Sequence, residues 1–305
     1  LSENQTSAPI DANIGQGVEI ANPKWTKKEE KMTGSLLKAA QVAFASAVLC
    51  VAAVSSSPAL SQEPSSDILK QVLGHGTLRV GECMGLAPFA VYNANNEPEG
   101  YDIDIANELG AGLGVKVEIV NVDPAARIPS LETGKVDVVF CDTTRTLDRV
   151  KRVSFTDTYD VTGTVIMSAK DAPVNSLAEL NGKSVAIVKG TPYSDVVKKA
   201  APTAQIISFN SPADIVTAVK QGQAAAAIEN SAFLNYAAKL DPSFHVTSDS
   251  VIELYYNSFA IPQGQPNWLA FLNEFIFELN TSGKNAQLYK KWFGVEPPFP
   301  LNPKF

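Results

Sequence analysis

The run Val136-Asp-Val-Val-Phe140 is apolar except for one acid and is too short for a helix of ordinary length. A strand with apolar side chains on both faces needs cover on both faces, as in a parallel sheet flanked by helices. Its neighbours repeat the demand. Asp67 to Gly74 is an amphipathic lead-in, Thr77-Leu-Arg-Val-Gly81 reads as a strand, and Val115 to Val120 reads as another. Gly100 to Leu109 has apolar residues at helical spacing and is expected to stop at Gly110. Ile128 to Leu131 opens a short helix ending at Gly134, and Leu147 to Val153 reads as helical. Strands alternating with helices define a mostly parallel α/β sheet.

A second α/β set follows. Leu177 to Leu180 is a short helix, Lys183 to Val188 a strand, and Gly190-Thr-Pro192 starts a helix running through Lys199. Gln205 to Phe209 is a strand, Pro212 to Gln221 a helix, Ala224 to Ile228 a strand and Phe233 to Leu240 a helix. Two longer extended stretches bracket the set, Tyr159 to Met167 and Leu254 to Ile261. A chain that leaves one lobe, builds a second and returns needs two crossing strands, and these stretches fit that need. Trp268 to Leu279 and Asn285 to Trp292 then read as helices packed back on the first lobe.

Upstream lies a different kind of segment. Lys38 precedes an almost wholly apolar run from Ala39 to Val54, which gives way to Ser-Ser-Ser-Pro58-Ala-Leu-Ser61. A positive residue, a short apolar core and a small-residue exit make residues 32–61 a secretory signal peptide, with cleavage expected after Ser61. Residues 1–31 are polar and aperiodic, and read as an upstream extension or a disordered leader. Beyond the expected cut, Cys83 and Cys141 are the remaining cysteines. In an oxidising compartment they could pair; two buried free thiols is the other reading. The net charge of −7 argues against a nucleic-acid partner, whose phosphates need a basic face.

Several stretches together resemble the periplasmic amino-acid-binding proteins of ABC transporters (bacterial solute-binding protein family 3). They are Leu78-Arg-Val-Gly81 with Pro88-Phe89, Gly100-Tyr-Asp-Ile-Asp-Ile-Ala106, and the segment from Arg127 to Val139. Then come Thr143-Thr-Arg-Thr-Leu-Asp-Arg149 with Val153-Ser-Phe155, Ser176 to Lys183, Lys189-Gly-Thr191 and Tyr289-Lys-Lys-Trp-Phe-Gly294. They occur in family order and span the chain beyond the signal segment. The resemblance implies a two-lobed periplasmic-binding-protein fold of type II. Lobe one comprises 67–162 with 256–305, and lobe two 163–255. It implies hinge closure on an amino acid or similar small zwitterion, a membrane ABC permease as partner, a monomer, and neither cofactor nor metal.

The resemblance also assigns roles. Arg149 matches the arginine that grips the ligand carboxylate, a planar fork suited to that group. Thr144 matches a residue offering its N–H and hydroxyl to the same carboxylate, with Thr143 beside it, and Asp142 stands where the family usually has Gly or Ser. On charge alone, Arg149 reads instead as a surface helix arginine among Arg145, Lys151 and Arg152. Arg127 is either a rim arginine or a second fork facing a ligand side chain, which would favour a polar or acidic amino acid. Thr191 is either a helix cap or part of the cleft lining.

Three positions depart from the family pattern. Cys83 stands where an acid is usual, and Leu86 where an aromatic is usual. Asn230, beside Glu229, takes the place of the Asp that binds the ammonium. Charge at that point must then come from Glu229 or Asp142, unless the ligand is not an ordinary α-amino acid; Glu229 also reads as an exposed strand-end acid. Cys83 and Cys141 both fall on cleft-lining family positions, so a disulfide across the cleft floor is one outcome. Two rivals share the fold: a cyclohexadienyl dehydratase-like enzyme using Glu229 as general acid, and a sensor protein presenting its ligand to a membrane receptor.

Overall fold

The computed structural model describes residues 67–247 and 252–297. The upstream segment 1–31, the expected signal peptide 32–61 and residues 298–305 lie outside the described residues. Asp67 caps α1 (Ile68–His75), its carboxylate accepting from the Lys70 N–H at 3.4 Å. Strand β1 (Thr77–Glu82) follows, then a ribbon of β2 (Val91–Tyr92) and β3 (Pro98–Glu99), and α2 (Tyr101–Leu113). The first set ends with β4 (Lys116–Asn121), α3 (Arg127–Glu132) and β5 (Val138–Val139). The 17-residue β6 (Val153–Ala169) carries the chain onward. The second set comprises β7 (Ser184–Val188), α4 (Tyr193–Ala200), β8 (Gln205–Phe209), α5 (Pro212–Lys220), β9 (Ala226–Asn230), α6 (Ser231–Leu240) and β10 (Phe244–Val246). Strand β11 (Leu254–Pro262) returns, and α7 (Pro266–Thr281) and α8 (Lys284–Phe293) follow it.

Strand order is β4-β1-β5-β11-β6-β9-β7-β8, with β10 also on β6. Strands β4, β1 and β5 are parallel, as are β8, β7 and β9. Between them lie β6 and β11, antiparallel to each other and shared by both sides. Strand β6 pairs with β11 up to Gly163 and with β9 from Thr164 on. This is the two-lobed α/β fold, two α/β sets joined by two crossing strands. The β6–β11 ladder shifts register around Asn257 and Ser258. A bulge of that kind bends a strand locally.

The acid inside the apolar run is satisfied rather than solvated. Asp137 is buried and accepts from the Arg79 backbone N–H at 2.8 Å and from its guanidinium at 2.6 and 3.2 Å. Its own carbonyl accepts from the indole N–H of the fully buried Trp268 at 3.1 Å. Beside it an aromatic column ties four elements and two loops together. Phe140 stacks on Phe259 at 3.8 Å between centroids, Phe259 meets Tyr159, and Tyr159 stacks on Tyr101, which packs against Phe89 and Phe293.

Several expected boundaries move. Helix α2 runs through Gly110 to a left-handed cap at Gly114. A Cβ at Gly110 would run into Val117 of β4, so this glycine allows close helix–sheet packing instead of stopping the helix. The helix expected over Leu147 to Val153 reduces to one 3₁₀ turn, Arg149–Lys151, because Leu147 and Val150 are exposed and no apolar stripe reaches the core. The strand expected at Ala224 to Ile228 lies two residues later, which puts Glu229 and Asn230 at its end. Of the run from Val136 to Phe140, only Val138 and Val139 are laddered strand.

Removing the Phe259 ring should leave a cavity in the aromatic column. Phe259→Ala is expected to lower the unfolding free energy by about 3–5 kcal/mol. Urea unfolding should show this as a fall in midpoint at unchanged slope.

Candidate functional site

The carboxyl ends of the two parallel strand sets face each other, the position where open α/β sheets bind ligands. Between them lies a cavity of about 20 Å³. That is room for about one water. Cys83, Leu86, Pro124, Arg127, Cys141, Asp142, Thr144 and Arg149 form one wall, and Val188, Thr191, Pro192, Tyr193, Pro212 and Glu229 the other.

Arg149 turns into this cleft. Its Nη1 donates to the Thr144 carbonyl at 2.6 Å and its Nη2 to the Gly190 carbonyl at 2.7 Å. The surface reading belongs to its neighbours: Arg152 pairs with Glu132 and Lys151 with Asp148, in contact with solvent. Arg127 is no rim residue either, being 6% exposed. Its Nε donates to the Pro124 carbonyl at 2.7 Å and its Nη1 to the carbonyls of Cys141 at 3.1 Å and Asp142 at 3.4 Å. Its Nη2 crosses the cleft to Gly190 at 2.9 Å. One carbonyl oxygen thus receives both guanidiniums. Burial lowers the pKa of each, and for Arg149 the neighbouring Arg127 charge adds to the effect. Two cations held this way favour an anion between them.

Gly190 has φ +80°, and a Cβ there would stand 2.7 Å from the Ala125 Cα. Only glycine allows this corner to meet the opposite wall so closely. Thr191 lines the cavity but caps no helix. Its hydroxyl donates to the Val188 carbonyl at 2.7 Å, and α4 begins at Tyr193 after Pro192.

Asp142 ties the walls together. One carboxylate oxygen accepts from Asn230 Nδ2 at 2.9 Å and the other from Asn257 Nδ2. Both Cys141 (φ 50°) and Asp142 (φ 45°) are left-handed. Two successive non-glycine residues of this kind persist only where their surroundings hold them. Thr144 lines the cavity and its hydroxyl donates to Asn257 Oδ1 at 3.3 Å. The Thr143 hydroxyl donates instead to the Phe140 carbonyl at 2.5 Å, and Thr143 does not line the cavity.

At the end of β9 the acid, not the amide, lines the cavity. Glu229 is 3% exposed, so it is not an exposed strand-end acid. It accepts from the Asn230 N–H at 3.0 Å and hydrogen-bonds the Tyr193 hydroxyl. Burial, helped by the charge of Asp142, pushes its pKa up to about 7. Asn230 is the N-cap of α6, its Oδ1 accepting from the Ala232 N–H at 2.8 Å.

Cys83 and Cys141 are joined by a disulfide with Cα atoms 5.0 Å apart, which answers the open question of their pairing. Beneath it lies Glu82, which sequence reasoning missed. It is fully buried, accepts from the Cys83 N–H at 3.0 Å and the Cys141 N–H at 3.3 Å, and is pushed up to about 8 mainly by burial. The signal for it was an acid one residue before the position where the family usually carries one. Tyr193 and Asn257 were also missed; a lone Asn within an apolar crossing strand was the available clue. Among the described residues no cluster of His, Cys, Asp and Glu could hold a metal ion, and no helix is long and apolar enough to cross a membrane.

Two guanidiniums and two carboxylates, Asp142 and Glu229, face one small cavity between two lobes. Paired guanidiniums and carboxylates of this kind have the chemistry to hold a small dipolar solute through charge-assisted hydrogen bonds. The model of the bacterial extracellular solute-binding proteins, family 3, matches residues 78–295, and the chain belongs to that family. It is 28% identical to the glutamine-binding protein of an ABC transporter of Bacillus subtilis, over 78% of this chain and 88% of the relative. It is 27% identical to an ABC transporter arginine-binding protein of Escherichia coli, over 68% of this chain and 86% of the relative. Among solved structures, a mutant arginine-binding protein from T. maritima aligns with TM-score 0.71 at 31% identity, covering 75% of this chain and all of that one. An ancestral amino-acid-binding protein described as a precursor of cyclohexadienyl dehydratase aligns with TM-score 0.69 at 34% identity, covering 74% and 99%.

Gly190→Ala should strain the left-handed corner and push Ala125 away, propping the cleft open. A loss of about ten-fold or more in ligand affinity is expected by calorimetry, with a far-UV spectrum like that of the parent. In denaturant, reductant should expose two more titratable thiols per chain than are present without it.

Proposed function

We propose that this chain is exported and captures a free α-amino acid in the cleft for delivery to a membrane ABC permease. The observation that carries this reading is the meeting of Arg149 and Arg127 on one carbonyl oxygen across the cavity. A ligand carboxylate offers the same acceptor with a full charge, so it displaces the Gly190 carbonyl and takes both forks. The ammonium then lies toward Glu229 and Asp142, the carboxylates that line the cavity. Thr144 supports the carboxylate end and Thr191 the opposite wall. Thr143 and Asn230 act through their neighbours, and Cys83 contributes to the floor.

In this reading the lobes comprise 67–162 with 256–305, and 163–255, and they swing about β6 and β11. Residues 32–61 direct export to the periplasm, where the protein works as a monomer. The ligand is a polar amino acid, dicarboxylates included, because Arg127 Nη2 carries a second N–H that can serve a side-chain acceptor beside the carboxylate. Relatives that bind glutamine and arginine support an amino acid as the ligand class.

Calorimetry against the common amino acids, with an assay for prephenate and arogenate turnover alongside, tests this directly. Binding heat without turnover is expected, and turnover would overturn the reading. Arg149→Met should lower affinity at least about 100-fold with an unchanged melting temperature in the absence of ligand. Unchanged affinity would remove Arg149 from the site.

Glu229 makes the binding pH-dependent. It faces Tyr193 on α4, Asp142 and Arg127, and accepts the Asn230 N–H. Its pKa of about 7 without ligand falls when an ammonium arrives, so binding near pH 6–7 releases a proton. Affinity should therefore rise with pH up to about 7 and then level off. Calorimetry in buffers of different ionisation enthalpy measures the release, which Glu229→Gln should largely remove.

A further inference from the structure

We propose that the Cys83–Cys141 disulfide is a site of exchange with small thiols, reached only from the open cleft, and that opening it weakens ligand capture. The proposal rests on the cavity being the amino-acid site. Both half-cystines line that cavity and are only 2% exposed. Behind them lies an apolar cluster that includes Val122, Leu131, Val139 and Ala260. The cavity is therefore the side from which a reagent approaches the sulfurs in this proposal. At about 20 Å³ the cavity admits no thiol while the opposite wall is in place. That wall belongs to the other lobe, and it leaves when the lobes part about β6 and β11. A ligand that holds the lobes shut therefore shields the disulfide.

The converse effect follows from where the disulfide is anchored. Cys141 and Asp142 form the left-handed corner from which Asp142 reaches Asn230 and Asn257. The corner is held by Glu82 on the Cys141 N–H, by Arg127 on the two carbonyls, and by the disulfide, the one covalent tie. Breaking that tie frees a strained corner to relax. The relaxation moves Asp142 and removes acceptors from Arg127, two groups of the binding set. Ligand and disulfide are thus linked, and each must act on the other.

The chemistry needs only the incoming thiol. Its thiolate attacks one cystine sulfur, a mixed disulfide forms, and the other cysteine leaves as a thiolate that takes up a proton. A second thiol resolves the mixed disulfide, leaving two protein thiols and one oxidised thiol pair.

The test uses the purified oxidised full chain. Dithiothreitol opens the disulfide, and alkylation of Cys83 and Cys141 is followed by peptide mass. The probe is a mixture of the common L-amino acids without cysteine. Reduction should slow about ten-fold or more when the mixture saturates the protein. In the reduced protein, the amount of mixture giving half the thermal shift should rise about ten-fold. A Cys83→Ser, Cys141→Ser pair should behave like the reduced protein; if it fails to fold, the wild-type reduction rates decide. A clear thermal shift with equal reduction rates with and without the mixture overturns this inference alone. No thermal shift in the oxidised protein overturns the capture reading, and this inference with it.

Discussion

The site is organised around one oxygen atom. The Gly190 carbonyl accepts from Arg149 and from Arg127, two guanidiniums that also donate to other carbonyls of the cleft. This contact brings the β7–α4 corner against the opposite lobe, and the close approach in turn requires that the corner residue have no side chain. The remaining donors of Arg127 are spent on Pro124, Cys141 and Asp142, so the same residue that crosses the cleft also shapes its floor. Any solute that takes the place of this carbonyl inherits two preorganised forks.

The crossing strands carry polarity where a core would normally exclude it. Asn257 on β11 reaches Asp142, Thr162 and Asp160, and lies opposite Asp160 where the ladder slips. Asp102 and Asp160 each keep one buried carboxylate oxygen without a partner, and burial raises the pKa of both. Such groups stabilise a fold poorly. They lie beside the strands shared by the two lobes, so the joint carries buried polar groups next to its aromatic column.

Much of the fold was legible because periodicity reports burial. The strand within the apolar run at Val136 to Phe140, the helix begun by the spacing of α2 and the two long extended stretches are all present, with ends that differ from those expected. Misreadings arose where one residue type serves two ends. Gly110 reads as a helix stop, but it is the absence of a Cβ against Val117 that matters there. Leu147 and Val150 suggested a helix, yet both are exposed and the chain makes a single turn that aims Arg149 inward. In the site, Arg149, Arg127, Thr144, Asp142, Thr191, Cys83 and Glu229 gather around one cavity as a set. Glu82, Tyr193 and Asn257 went unseen, because a buried acid, a helix-start tyrosine and a strand asparagine carry no pattern of their own.

By itself, the sequence determined the class of architecture and the order of its parts. Alternating apolar strands and amphipathic helices bury their faces as α/β layers, and the two long extended stretches fit the links between two such sets. Only the tertiary structure decided which charges meet. That Arg127 is buried, that Glu229 rather than Asn230 lines the cavity, and that Cys83 and Cys141 lie 5.0 Å apart are facts about residues far apart in the chain. Local pattern specifies which side of an element faces inward, but the pairing of distant side chains depends on how the elements dock. At this site the docking is set by a glycine corner and a two-strand joint.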